Sequence, residues 1–225
     1  MIPVRDDNPI RRTPIVTFVL IGLCAVVYLW QLSLGDAATQ RSFYTLGLIP
    51  AVLTHKAVLP PELALVPAWA TVFTSMFVHG GFFHLAGNLL YLWIFADNVE
   101  DAMGRARFVL FFLLCGIGAA VAQVLPDPGS RIPMVGASGA ISGVLGAYLL
   151  TFPRAHVLVA IPIGFVLQLI RLRAVTVLGA WFLLQLISSL MASPEGGGVA
   201  FRAHIGGFVV GMLLQPVMLP SRRVA

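Results

Sequence analysis

The sequence predicts an all-α membrane protein: a single domain over residues 1–225, folded as a bundle of six transmembrane helices with the N- and C-termini cytoplasmic. Three observations predict it. Of the 225 residues, 59% are hydrophobic and only 10% charged, whereas a soluble domain carries about 25% charged residues to keep its surface solvated. The apolar residues gather into charge-free blocks close to the length of about 20 residues that crosses roughly 30 Å of hydrocarbon. The basic residues fall mainly in alternate loops. The same composition excludes a soluble globular fold, a disordered chain and a secreted disulfide scaffold. The only two cysteines, Cys24 and Cys115, each lie inside an apolar run and read as small buried residues. The net charge of +5 is scattered between apolar blocks rather than gathered into a patch, so nucleic acid is not expected as a partner; the lipid bilayer is.

The first span, about residues 14–34, follows Arg11 and Arg12, and Pro14 suits a first helical turn. Its apolar run is long for a signal peptide and no small-residue cleavage site follows, so it reads as a retained anchor. An external loop covers about residues 35–81. Further spans are expected at about 82–97, 108–125, 135–152, 174–192 and 204–219. Two more apolar stretches, 63–78 with Pro67 and 156–170 with Pro162, compete as a seventh span, and the positive-inside rule arbitrates. With six spans, Arg5, Arg11, Arg12, Arg105, Arg107, Arg154, Arg171, Arg173, Arg222 and Arg223 lie inside, and Arg41, Lys56, Arg131 and Arg202 outside, a ratio of 10 to 4. A span at 156–170 makes the ratio 7 to 7, and one at 63–78 makes it 5 to 9. Both stretches are therefore expected to be interfacial or re-entrant. No internal repeat is visible, and the only low-complexity segment is the run Gly196-Gly197-Gly198 in the last outer loop.

Polar groups in hydrocarbon cost several kcal/mol when unpaired, roughly 2–7 by transfer measurements, so their positions carry information. Three clusters stand out: His79-Gly80-Gly81-Phe82-Phe83-His84-Leu85-Ala86-Gly87-Asn88 at span 2, Gly136-Ala137-Ser138-Gly139-Ala140-Ile141-Ser142-Gly143 at span 4, and Ala203-His204-Ile205-Gly206-Gly207 at span 6. Under the six-span topology all three fall in the outer part of the membrane, where they can meet. His84 and Asn88, four apart, share a helix face. Gly139 and Gly143, with Gly136 just ahead of them, and Gly207 and Gly211 on span 6, are small residues that let membrane helices pack closely. Close packing is what a bond between Ser138 and His204 requires. A serine hydroxyl becomes a nucleophile when a neighbouring histidine removes its proton. The resulting oxyanion needs donors, for which Asn88, His84 and the Ser138 backbone N–H are candidates. No acidic residue lies near this level of any span, so a Ser–His dyad is expected rather than a triad. Metal binding by His79, His84 and His204 lacks a Cys or carboxylate ligand, so no metal is expected. His79 reads as structural, and His55 and His156 carry no assigned role.

At these residues the sequence resembles the rhomboid family of intramembrane serine proteases, over nearly the whole chain. The resemblance rests on Gly136-Ala137-Ser138-Gly139, Ala203-His204-Ile205-Gly206-Gly207 and the His79, His84, Asn88 pattern. Asn98-Val99-Glu100-Asp101-Ala102-Met103-Gly104 and Trp181-Phe182-Leu183-Leu184-Gln185 add to it. The resemblance implies a rhomboid-like six-helix bundle with a cavity open to the outer face, Ser138 as nucleophile, His204 as general base, and His84 and Asn88 as oxyanion groups. It implies that the segment around 63–78 lies sideways in the outer leaflet, that span 5 with its overlying loop gates substrate, and that no cofactor is used. The implied substrates are transmembrane proteins cut in or near a membrane segment; with no targeting segment read beyond the first span, a bacterial cytoplasmic membrane is the expected location. Three positions depart from the family pattern: Ser142 stands where some members have a tyrosine stacked on the histidine, Phe201-Arg202 where an aromatic pair is frequent, and Trp69 has no arginine beside it. A non-catalytic rhomboid-like protein that binds membrane clients is the alternative, and retention of both Ser138 and His204 speaks against it. A transporter is disfavoured because the spans turn apolar below Asn88, Ser142 and His204.

Overall fold

The computed structural model describes residues 1–164, 166–191 and 199–220. The Gly196–Gly198 run and Arg222 and Arg223, which the charge count expects on the inside, lie outside the described residues. Strand β1 (Ile2–Asp6) leads into helix α1 (Ile15–Ser33), and the following loop holds α2 (Asp36–Leu46), α3 (Pro50–Leu53) and α4 (Thr71–Thr74). Helix α5 (Phe82–Tyr91) runs through a π-helical turn (Leu92–Ala96) into α6 (Asp97–Met103), followed by α7 (Arg105–Val124) and α8 (Ser138–Thr151). A hairpin of β2 (His156–Ile163) and β3 (Val166–Arg173) precedes α9 (Ala174–Met191) and α10 (Phe201–Met218).

Each of the six predicted apolar segments lies on helix. Among the described residues four helices, α1, α7, α9 and α10, are long and apolar enough to cross a membrane. The second segment continues past residue 97 to Met103, where Gly104 at φ 81° ends it. The fourth starts at Ser138, three residues later than its sequence boundary. Gly136 there adopts φ 110° and donates its N–H to the Ser75 carbonyl at 2.8 Å. At 14 residues α8 is only about 21 Å long at 1.5 Å per residue, shorter than the roughly 30 Å of a full span.

The expectation of an all-α protein is corrected by a three-stranded antiparallel sheet in the order β1-β2-β3. The stretch 156–170, expected to be interfacial or re-entrant, forms most of its hairpin. Val157 and Val159 alternate with smaller or half-exposed neighbours and bury one face, the two-residue period of a strand. Overall apolarity hides that period. Pro162 sits beyond the reach of β1, which pairs only as far as Ala160, so no ladder bond on that side is lost. The stretch 63–78 holds only a 3₁₀ turn (Ala68–Ala70) and the single-turn α4. Pairing of β1 with β2 brings the segment before α1 and the α8–α9 connection to one end of the bundle. At the other end, Leu48 and Met134 form a β-bridge between the loop after α1 and the one before α8.

Helix α8 is the core. Every residue from Gly139 to Tyr148 is buried, as expected of a helix apolar all round. Against α10 the two backbones touch: a Cβ added to Gly207 would stand 1.9 Å from the Gly139 carbonyl oxygen, and one added to Gly211 2.0 Å from that of Gly143. On α7, Cys115 Sγ would lie 2.4 Å from a Cβ at Gly143. The lipid-facing surfaces are apolar: Leu23, Val26 and Leu29 of α1, and Leu183, Ile187 and Leu190 of α9, are exposed.

The start of α1 has no side-chain cap of its own. Its orphan N–H groups are served instead by Glu100 of α6, which accepts from Val16 N at 3.0 Å, Thr17 N at 2.7 Å and Thr17 Oγ1 at 2.8 Å. Asp101 accepts from Arg11 N at 2.9 Å, and Asn98 Nδ2 donates to the Asn8 carbonyl at 3.0 Å. The buried Tyr148 hydroxyl donates to Asp6 at 2.5 Å, tying the sheet to α8.

Glu100→Ala is expected to lower stability by about 2–3 kcal/mol, because it strands the two buried donors of Thr17 and the part-buried N–H of Val16, and Glu100→Gln by less; detergent thermal unfolding measures both. Gly207→Val is expected to cost at least ~1–3 kcal/mol, since its neighbour is backbone and cannot move aside. An unchanged unfolding midpoint for Gly207→Val would contradict the α8–α10 contact.

Candidate active site

Ser138 opens α8 and His204 lies in the first turn of α10, so the glycine contact between these helices fixes their separation. His204 Nε2 lies 2.8 Å from Ser138 Oγ. The imidazole is only 8% exposed. Its other nitrogen, Nδ1, is 2.8 Å from Gln185 Oε1 on α9. Trp181, one turn earlier on α9, lies with its ring centroid 6.0 Å from that of His204 at 33°, and Phe201 meets it edge-on at 6.5 Å and 89°. Ser142, one turn after Ser138, is not against the ring and donates to the Ser138 carbonyl at 2.6 Å. The ring is therefore held by α9 and Phe201.

Asn88 and His84 project from α5 on the opposite wall. Asn88 is buried, and its Nδ2 has no hydrogen-bond partner among the described residues. The Gly80 N–H donates to His84 Nδ1 at a long 3.4 Å, which leaves the proton of a neutral ring on Nε2. That nitrogen would stand 2.5 Å, and Asn88 Nδ2 3.5 Å, from a Cβ added to Gly136. Gly136 thus belongs to the wall of the site, whereas Gly139, Gly143, Gly207 and Gly211 lie in the α8–α10 contact, joined by Gly146, where an added Cβ would stand 2.3 Å from the Phe208 carbonyl oxygen. Ser138, His204, His84, Asn88 and Trp181 line one cavity of about 1120 Å³, whose lining also includes Asp127 and Ser130 of the α7–α8 loop and Arg202 at the start of α10. A hydroxyl on a base, facing paired donors across a cavity, is an arrangement suited to acyl transfer. The Ser138 N–H, at a helix start, adds a donor at the positive end of the helix dipole.

A family model described as the Rhomboid domain matches residues 67–221. The chain belongs to the rhomboid family. With its long apolar helices this rhomboid is an integral membrane protein, of a family generally made up of intramembrane proteases. The Bacillus subtilis protein YdcA is 33% identical over 141 residues, 62% of this chain and 63% of its own. Rhomboid protease GluP of Bacillus subtilis is 42% identical over 81 residues, 36% of this chain and 15% of its own. Rhomboid-like protein 11, chloroplastic, of Arabidopsis thaliana is 27% identical over 199 residues, 84% of this chain and 63% of its own. This rhomboid thus spans less than two thirds of the length of each.

Sequence reasoning did not single out Gln185 as a partner of His204, nor Gln31. Each is an amide in an otherwise apolar helix, and that was the available signal. Gln31 is fully buried in α1. It accepts from the His79 N–H at 3.0 Å and donates to the His79 carbonyl at 3.3 Å. His79 is thereby a fixed loop anchor, its ring 5.3 Å from that of His84. His55 adopts φ 58°, and His156 pairs with Asp7 at 3.2 Å, both away from the cavity.

Burial, reinforced by His84, pushes His79 down to about 4 from the usual 6.5. The folded state therefore holds fewer protons than the unfolded chain between these values, so stability is full above pH 6.5 and falls as the pH drops towards 4. The unfolding midpoint of this rhomboid is expected to decline across that window, and to decline less in His79→Gln. Equal slopes would remove His79 from the acid response.

Proposed function

We propose that this chain is an intramembrane serine endopeptidase that hydrolyses peptide bonds in or near the transmembrane segments of membrane proteins. Ser138 is the nucleophile and His204 the general base; Asn88, His84 and the Ser138 N–H stabilise the oxyanion. The observation that carries this reading is the 2.8 Å contact between Ser138 Oγ and His204 Nε2, in a cavity that also exposes the unpartnered Asn88 amide. In the acylation step His204 Nε2 takes the hydroxyl proton while Oγ attacks the scissile carbonyl carbon. The carbonyl π electrons move to oxygen, which meets the donors. The proton then passes to the leaving amine as the C–N bond breaks, and water repeats the sequence on the acyl-enzyme.

Six crossings with both termini cytoplasmic, and a site open to the outer face of a bacterial cytoplasmic membrane, complete the proposal. The β1–β2 pairing supports it, since it requires an even number of crossings between Asp6 and His156. The charge ratio of 10 to 4 supports the orientation. Ser138 opens α8 beneath the cavity mouth, and attack on a backbone carbonyl there calls for a substrate peptide that is locally unwound.

Purified protein in detergent is expected to label with a fluorophosphonate probe and to cleave a model transmembrane substrate, and Ser138→Ala and His204→Ala to lose both. Cleavage at wild-type rate in either variant would end the dyad assignment. Asn88→Ala is expected to lower turnover by about 10²–10³-fold, the usual cost of one oxyanion donor; an unchanged rate returns Asn88 to a packing role.

A further inference from the structure

We propose that Gln185 is a positioning residue that fixes the tautomer and orientation of His204, acting as a neutral third member of the Ser138–His204 pair. This deepens the protease reading above and rests on it.

His204 makes two ring hydrogen bonds, each at 2.8 Å, one to Ser138 Oγ and one to Gln185 Oε1. A neutral imidazole has one N–H and one lone pair. An amide oxygen only accepts, so Nδ1 carries the hydrogen and the lone pair is on Nε2, facing the serine hydroxyl. That tautomer is the only neutral one able to take the Ser138 proton. With an apolar residue at 185 both tautomers become accessible, and the unproductive one places an N–H against Oγ.

The local structure supports a specific acceptor here. Gln185 and Trp181 are four apart on α9 and share the face that meets the ring. A carboxylate in this place would add a charge in a low-dielectric region, at a cost of several kcal/mol unless neutralised. The amide presents the same acceptor oxygen without charge. When the ring is protonated during acylation, the Nδ1–H continues to donate to Oε1, so the bond is kept along the reaction.

Gln185→Leu preserves size and removes the acceptor. It is expected to lower kcat by roughly 10²-fold, the lower range for loss of general-base function, with KM changed by less than about two-fold. Gln185→Glu restores an acceptor oxygen and is expected to recover at least a tenth of wild-type kcat. A role in packing alone predicts the reverse order, because Leu suits an apolar helix and Glu does not. The second readout is independent of turnover. In protein labelled with ¹⁵N-histidine, with the His204 signals assigned by their loss in His204→Ala, wild type is expected to show protonated Nδ1 and unprotonated Nε2, and Gln185→Leu a mixture. Protonated Nε2 in wild type, or a Gln185→Leu variant that cleaves as fast as wild type, overturns the assignment of Gln185 while leaving the protease intact. A wild type with no Ser138-dependent cleavage overturns the reading on which it rests.

Discussion

Everything in the site depends on how closely α8 approaches α10. The carbonyl oxygens of Gly139 and Gly143 occupy the space where side chains at Gly207 and Gly211 would begin. Backbone contact of this kind is favoured in a membrane because water exclusion offers helices there no further drive to associate, and packing and hydrogen bonding must do it. The 2.8 Å between Ser138 Oγ and His204 Nε2 follows from it, since both residues lie within one turn of the first contact. A methyl group inserted between the backbones would push apart the serine oxygen and the imidazole nitrogen, which must meet within hydrogen-bond reach.

The far end of the bundle is held by a different means. The segment before α1 is fastened to α6 by Glu100, Asp101 and Asn98, and β1 is fastened to α8 through Tyr148 and Asp6. These are polar clamps placed where the apolar helices end. Close packing of small residues operates at membrane depth, and directional hydrogen bonds operate at the edge. The sequence run from Asn98 to Gly104 is accounted for by this fastening, well away from Ser138.

Legibility of the chain in its sequence followed the physics of each region. The long helices were visible because hydrocarbon demands an apolar length, and Ser138 and His204 stood out because polar groups in such stretches need a reason. The glycine contact was visible as four-residue spacing. The sheet was not, because the alternation of Val157, Val159 and Ile161 is drowned in a stretch where the intervening residues are apolar too. The start of α8 was misplaced because apolarity does not register the positive φ of Gly136. Gln185 was hidden for a related reason: an amide in a span reads as helix glue, and only the folded chain brings it to a ring nineteen positions away in sequence.

Helix α9 is the least buried of the four long apolar helices, yet it carries both Trp181 and Gln185. The imidazole is thus gripped from one side by rigid helices in backbone contact and from the other by an element bathed largely in lipid. A displacement of α9 by an ångström or two stretches the Gln185 bond beyond hydrogen-bonding range while leaving Ser138 and His204 where they are. Of the two bonds to the imidazole, the one to Gln185 is therefore the one that a shift of α9 changes directly.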